Sequence, residues 1–373
     1  MLKNIHTEQR TPMTQVELNA AMASHDKYVL AQGGLRAQFN LKTLDGLNLA
    51  NRNLSDADFS GASLIGAMLF GSNMARANLY CADLRNCNLR CANLTRADLR
   101  GASFRGASLS GAMLDNADMR AATMMFVRPD GVSLIDRNHA THDGKAAVGV
   151  DFSNCSMKGV SLGNAKLSGA NFSGANLHGV NFKGAQLPNV NLDGAILTGV
   201  SLKDLVVPAS ALKGCITDAS QEVVARAETL KKSIEAHQRW AGGDSTAKPS
   251  MLDNEDLRPL QSFFVRLPLP ALSARNVIAI GVNFSGCQLP GARFDGADLR
   301  DADFTGADLR GASFVGAKLH HARFDRANLT SLALANGTLL APNFTSAQAA
   351  AEQFFDAVMD GDVSALGLHI EAA

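Results

Sequence analysis

The residues best suited to chemistry in this chain are its histidines, cysteines and paired carboxylates. Asp136, His139, His142 and Asp143 lie within eight residues of one another. Imidazole and carboxylate on one loop could hold zinc, but spacing on a Gly-containing loop does not set a tetrahedral geometry. The segment is read as a solvated loop. His25 and His237 each stand alone on an apolar helical face, beside Tyr28 and Trp240 at the same i+3 spacing. That placement suits a histidine bonding an otherwise unpaired strand edge better than a proton carrier. Cys81, Cys87, Cys91, Cys155, Cys215 and Cys287 show no CxxC spacing and no pairing with histidine, which fits a reduced chain. No nucleophile elbow, HExxH, P-loop or dinucleotide glycine pattern occurs. The expectation is a chain with no catalytic, cofactor-binding or metal-binding residue.

What must position these residues is a repeat. From Leu44 to Met124 every fifth residue is Leu, Phe or Met, and Leu134 keeps the phase. A second run holds from Phe152 to Leu202 and a third from Phe284 to Phe344. Two residues before each centre the chain favours Ala, as in CADLRNCNLRCANLTRADLRGASF. On an α-helix a period of five advances about 140° per step and smears Leu around every face. On a flat strand it would alternate the centres between faces. It fits a chain that turns a corner every five residues, with the centre and the small residue two before it inside. The third run gives the coil length. Phe284, Phe304, Phe324 and Phe344 fall in one 20-residue column, with Phe294, Phe314 and Leu334 opposite.

These repeats resemble the pentapeptide-repeat family over residues 40–203 and 281–344. The resemblance implies an all-β solenoid, a right-handed quadrilateral β-helix, here in two parts with α-helical caps and an inserted helix. The expected organisation is a helical cap at 1–38 and a first β-helix at 39–203 with a loop at 135–149. A helical and irregular insert at 204–280 then carries a second cap helix, before a second β-helix at 281–344 and a helical cap at 345–373. The helices are predicted at 14–32, opening on the capping box Thr14/Glu17; at 218–241; and at 347–359 with Ser346 as N-cap. Leu18, Met22, His25, Val29 and Leu230, Ile234, His237, Ala241 repeat one spacing, each followed by Gly-Gly, which reads as a duplicated module.

Lys+Arg and Asp+Glu both number 35, leaving no formal net charge, and the sequence pI is about 7.1. That excludes a basic nucleic-acid coat, so no nucleic-acid partner is expected. Asp98 and Asp118 share one column and Arg100 and Arg120 another, which reads as a charge ladder rather than a catalytic pair. No apolar run is long enough to span a membrane and no secretory leader is read at the start, so the expectation is cytoplasmic. The outward exception is apolar: Ile65, Met68 and Phe70 at one corner with Tyr80 nearby in sequence, and Phe263 and Phe264 in SFFVRLPLPAL. These six are the expected partner-binding residues. The reading is a non-enzymatic scaffold binding a protein, or a second copy through the solenoid ends or the C-terminal helix. The resemblance also implies an alternative, a DNA-mimicking modulator of gyrase, which would require an acidic face.

Overall fold

A computed structural model describes residues 10–120, 124–127, 133–136, 150–349, 351–354, 356–361 and 366. Elements in chain order are β1 (Thr11–Pro12), α1 (Gln15–Val29), β2 (Lys42–Thr43), β3 (Met124–Val127), β4 (Ser133–Asp136), α2 (Gln221–Ala241), β5 (Asn328–Leu329), β6 (Leu332–Ala333), β7 (Leu339–Leu340) and β8 (Val358–Met359). The chain divides into two compact units, Met1–Asp218 and Ala219–Ala373.

Most of the β structure consists of single parallel bridges between residues 20 apart, such as Asn48↔Met68↔Asn88 and Asp303↔Arg323. Along the running coils a centre residue donates its N–H to the next coil, as Leu49 does to the Met68 carbonyl at 2.8 Å. Its own carbonyl accepts the N–H three residues on, as in Ala57 N–H to Leu54 at 3.1 Å. That second bond closes a turn at every fifth residue, so a coil has four sides. From Leu41 to Asn116 every fifth residue also has positive φ, always two after a centre. A positive φ at the third position of an i→i+3 turn defines type II. The repeat is therefore a side of three extended residues followed by a type II corner. The centre and the residue two before it point inward, as Phe59 and Ala57 do with no exposure.

Unit 1 builds its ladder from Gln38 to Ile216. Runs one and two form one continuous ladder, because Ser108 bridges Asp151 and Asp118 bridges Ser161. Bridged positions there are 43 apart instead of 20, and the extra residues leave the coil at one corner. Part of that excursion is an antiparallel hairpin of β3 on β4. Of the expected loop at 135–149, residues 137–149 lie outside the described residues, and residues 135 and 136 belong to β4. Met124, opposite Asp136, and Leu134, opposite Phe126, are hairpin residues instead of coil centres. Pro129-Asp130-Gly131 between the strands is the turn signal that accounts for it. At the other end Leu202, read as a centre, is 44% exposed. α1 starts at the capping box, with Thr14 and Glu17 bonded reciprocally. It buries Leu18 and Met22 in the cluster that holds Ala37, Phe39 and Leu44.

Unit 2 corrects the boundary at 281. Its ladder begins at Met251, directly after α2, with Met251↔Ser273 and Asp256↔Ile278. Two features hid this coil. The Arg258–Leu260 3-10 turn lengthens it, so bridged residues lie 22 apart. In the next coil the sizes are exchanged, with Leu272 and Val277 at the small positions and Ala274 and Ala279 at the centres. α2, capped by Ser220, buries Ala227, Leu230 and Ile234 in the same cluster as Leu252 and Leu257.

Phenylalanines fill this interior. Phe284 stacks on Phe304 at 5.0 Å and 7°, and Phe304 on Phe324 at 5.2 Å and 9°. Opposite, Phe294 stacks on Phe314 at 5.3 Å, and the two columns meet edge to face. Ring spacing matches the roughly 4.8 Å between bonded strands. The end of the third run is corrected. Leu334 and Leu339 are 40% and 68% exposed, because β6 and β7 form an antiparallel hairpin that leaves the coil. Phe344 stacks on Phe314 at 4.7 Å instead of Phe324, whose next neighbour is Phe354 at 4.7 Å. The predicted helix at 347–359 is replaced among the described residues by a 3-10 turn, Ala351–Phe354, and by β8 paired with β5. Ser346, read as an N-cap, has φ 59° and is a corner residue.

Corner Asn51 projects its amide oxygen over Gly71 one coil on, where a Cβ would sit, and Gly71 has φ +61°. The same Asn-over-Gly contact recurs at Asn154/Gly174, Asn164/Gly184 and Asn276/Gly296. Gly71→Ala therefore suffers backbone strain and a clash together, and should destabilise by about 2 kcal/mol or more in chemical denaturation. Asn51→Ala beside it should recover the clash part, and additivity of the two changes would disprove the contact. Ala271→Gly, relieving φ 57° at an exposed corner, should instead stabilise by about 0.5 kcal/mol.

Candidate functional site

The surface that could meet another molecule is the outside of the coils, made by the residue before each centre and the two after it. Asn or Asp before the centre accepts the N–H two residues on, as Asn78 does from Tyr80 at 3.1 Å. This Asx contact satisfies an amide that the corner turns outward. Where Arg follows the centre, its guanidinium forks back onto the same carboxylate. Arg85–Asp83, Arg100–Asp98, Arg120–Asp118, Arg258–Asp256, Arg300–Asp298 and Arg310–Asp308 all close at 2.6–2.8 Å. The motif A-D-L-R is thus one inward pair and one outward ion pair.

These forks set the electrostatics. The hydrogen bond from Arg120 holds the Asp118 carboxyl below its ordinary value, and Asp98 raises Arg100. At Asp253 burial pushes the carboxyl up, but bonds from Arg275 and Ser273 outweigh it and bring it down to about 2. Carboxylates so held are charged and occupied, which suits a stable face and not proton transfer. Cys87 donates its thiol to the Leu64 carbonyl and Cys287 to Phe264, and burial pushes both up to about 12. Cys81 sits at a corner and is 7% exposed; Cys91 is half-buried.

Ile65 and Phe70 are half-buried and Met68 is 44% exposed, on neighbouring corners of one coil. Tyr80 does not join them. Ten residues beyond Phe70 it occupies the opposite corner, where Arg100 lies over its ring at 5.3 Å. Phe263 is half-buried in unit 2, with the Lys231 ammonium of α2 5.9 Å from its ring. Phe264 is a correction. It has no exposure and packs on Phe284 at 4.8 Å, so it offers nothing to a partner. The FF pair is one outward and one inward residue, because the centre phase falls on Phe264. Asp136 contributes only described backbone, in β4, and His139, His142 and Asp143 lie outside the described residues. Among the described residues no group of three potential ligands is placed to hold a metal. A shallow cleft between α2 and the first coil of unit 2 is lined by Glu222, Val223, Arg226, Glu255 and Asp256, with Arg226 bonded to Glu255 at 2.7 Å. No described helix is long and apolar enough to cross a membrane.

The sequence reading missed the hairpin surface of β6 and β7. Leu332 rests over Gly291 and, with Leu340, over Gly311, while Leu334 and Leu339 are 40% and 68% exposed and Leu340 is 41% exposed. Asn336-Gly337 between alternating apolar residues was the available signal.

The family model described as pentapeptide repeats matches in eight copies, over residues 44–79, 53–90, 87–125, 148–184, 175–204, 280–314 and 292–330. No curated protein sequence matches the chain. Among solved structures, the chain is similar to HetL, a pentapeptide repeat protein involved in heterocyst differentiation regulation from the cyanobacterium Nostoc sp. strain PCC 7120. Identity is 19% over 84% of this chain and 96% of that one, with a TM-score of 0.24. It is similar to QnrB1, a plasmid-mediated fluoroquinolone resistance protein, at 22% identity over 52% and 92%, TM-score 0.24. It is also similar to Rfr23, a pentapeptide repeat protein from the cyanobacterium Cyanothece 51142, at 21% over 45% and 96%, TM-score 0.24.

Asp298 and Arg300 form the fork most withdrawn from water, at 11% and 3% side-chain exposure. Asp298→Ala removes the carboxylate that the buried Arg300 guanidinium forks onto and should cost about 3–5 kcal/mol. Asp118→Ala at the exposed equivalent should cost about 0.5 kcal/mol. Urea denaturation of both variants checks the ratio, and equal losses would refute it.

Proposed function

We propose, for a chain that belongs to the pentapeptide-repeat family, the role of a non-enzymatic scaffold that binds another protein through departures from its own regularity. Membership implies a right-handed β-helical solenoid, and its four-sided coils fit the 20-residue ladder and the corners at every fifth residue. Family members are generally structural modules. α1 and α2 are read as the caps of the two coil stacks. The domain plan is a cap and coil stack in 1–218 and a second cap and coil stack in 219–373. The C-terminal closure belongs to the second stack and is built from Phe354 and β8.

One observation carries the reading. The Asp and Arg groups that could do chemistry are largely spent on one another within the coil, in the same fork repeated along the chain. A surface that neutralises itself so regularly discriminates poorly between partners. Discrimination falls to what breaks the pattern: the Ile65–Met68–Phe70 corners, the outward Phe263, and the β6–β7 hairpin with Leu334 and Leu339. Tyr80 remains a weaker candidate on its own corner. The gyrase alternative needs rows of uncompensated carboxylate, and the forks supply a guanidinium to six of them. The likeness to QnrB1 is one of fold, so the scaffold reading is preferred.

The test uses the full chain in affinity capture from the native cell. A Met68→Asp/Phe70→Asp variant and a Leu334→Asp/Leu339→Asp variant are run beside it. At least one should lose a protein that the parent retains, with unchanged thermal unfolding. Retention of every bound protein by both variants would overturn the reading. Inhibition of gyrase supercoiling by the purified chain would favour the alternative.

A further inference from the structure

The two histidines of the duplicated helices do the same thing at the same place. In a running coil, the residue two before a centre donates its N–H to the centre carbonyl of the preceding corner. The first coil of each unit has no preceding corner. In unit 1 the Ala37 N–H goes instead to His25 Nδ1 at 3.1 Å, and in unit 2 the Ser250 N–H goes to His237 Nδ1 at 2.9 Å. Ala37 and Ser250 both stand two before the first centres, Phe39 and Leu252. His237 Nε2 faces the Pro270 carbonyl at 3.0 Å, which fixes the neutral Nε2–H tautomer. His25 Nε2 is turned toward the Ser55 carbonyl without closing a hydrogen bond. Both rings have no exposed surface.

An Nδ1 that accepts a backbone N–H has no room for a proton. Protonating either ring would turn an acceptor into a donor facing a donor, in a site closed to water. We propose that His25 and His237 are matched acid-sensitive latches, whose protonation releases α1 and α2 from their coils and bares the first-coil edges. The inference goes beyond the scaffold role and does not depend on any partner.

The surroundings set the direction. Facing His25 are Asp26 and Tyr28 from α1, Asp56 and the Ser55 carbonyl from the coil, and Arg36 from the connection. Asp56 is itself bonded to Arg76 at 2.8 Å. His237 meets Trp240 of its own helix and the Pro270 carbonyl, and among the described residues burial and that carbonyl are what shift it. Burial dominates at both, so each ring holds a proton less well when docked than when released. A latch of this sign is at full strength above the ordinary value of 6.5 and weakens as pH falls below it.

Trp240 is the only tryptophan, 5.2 Å from the His237 ring, and an imidazolium quenches indole emission. Full-length protein should be followed from pH 8 to pH 4.5 by Trp emission and by amide hydrogen exchange. Exchange in α1 and α2 should rise by up to about tenfold per pH unit below 6.5, after correction for intrinsic rates. Amides of the Phe284–Phe324 coils should stay protected. His25→Gln and His237→Gln keep an acceptor without a titrating proton, and each should remove the pH dependence of its own helix alone. Asp56→Asn should leave the α2 response untouched. Helices that keep full protection at pH 4.5, or Gln variants that respond like the parent, would overturn the proposal. If a Gln variant misfolds at pH 8, the parent profile decides, and loss of coil and helix protection at one pH overturns it.

Discussion

The constraint on which everything else rests is the left-handed corner. Each side can bond to the next coil only if the chain has turned by the same angle at the same residue in both. From Leu41 to Asn116 it does so through a type II turn every fifth residue. L-residues resist that conformation by about 1–2 kcal/mol. Gly therefore occupies many corners and Asn several, but Arg76, Cys81, Arg96 and Arg266 are also held at positive φ. They persist because the coils above and below dictate the corner. Side-chain choice at a corner is also not free of its neighbour: where an Asn leans its amide oxygen over the next corner, as Asn51 does, that corner is Gly, whereas Asn254 faces Asn276 and accepts its side-chain amide.

The inside follows from the corner. Only two residues of each five point inward, so the interior is one large and one small side chain per side. Where the large one is Phe, rings stack at the coil spacing; where it is Leu or Met, the column is aliphatic. The requirement is on the sum and not on the order. At Leu272–Ala274 and Val277–Ala279 the large residue moves to the earlier position and the backbone ladder continues. Insertions obey the same logic. Both hairpins leave the coil at corners, where backbone already faces solvent, and the bridges resume on the far side at 43 and 30 residues. A hairpin satisfies its own hydrogen bonds, so it asks nothing of the coil.

Much of the fold was legible in the residues because inward positions tolerate so few types. The 20-residue coil, the columns from Phe284 to Phe324 and the Asp98–Arg100 and Asp118–Arg120 ladder are all visible as spacing. What was hidden has a physical reason in each case. The β6–β7 hairpin adds ten residues, a multiple of five, so Leu334 and Leu339 stay in phase while leaving the core. The coil at 251–280 exchanges large for small and so defeats a pattern built on Ala before Leu. Phe264 lies 20 residues before Phe284 and shares its column, but small centres at Ala274 and Ala279 interrupt the run of Leu and Phe between them and hide that phase. The outward apolar residues were legible as composition but not as a site. Phe70 and Tyr80 are close in sequence, yet ten residues is half a coil.

The ends of the ladder show why the start of a coil stack cannot be read from Leu and Phe alone. A first coil presents N–H and C=O groups that every later coil satisfies with its predecessor. In unit 1 those groups meet side chains that imitate a missing strand. Gln15 gives and receives one hydrogen bond at Asn48, and His25 accepts from Ala37. β1 supplies backbone to β2 for part of the remainder. In unit 2 His237 acts as both missing carbonyl and missing amide, toward Ser250 and Pro270. Whether a stretch begins a solenoid therefore depends on an upstream helix with an acceptor at the right turn, 12 residues back in unit 1 and 13 in unit 2. That makes the histidine, and not the first Leu of the visible repeat, the marker of where a coil stack starts. By that marker the second stack begins at Ser250, and the ladder from Met251 follows from it.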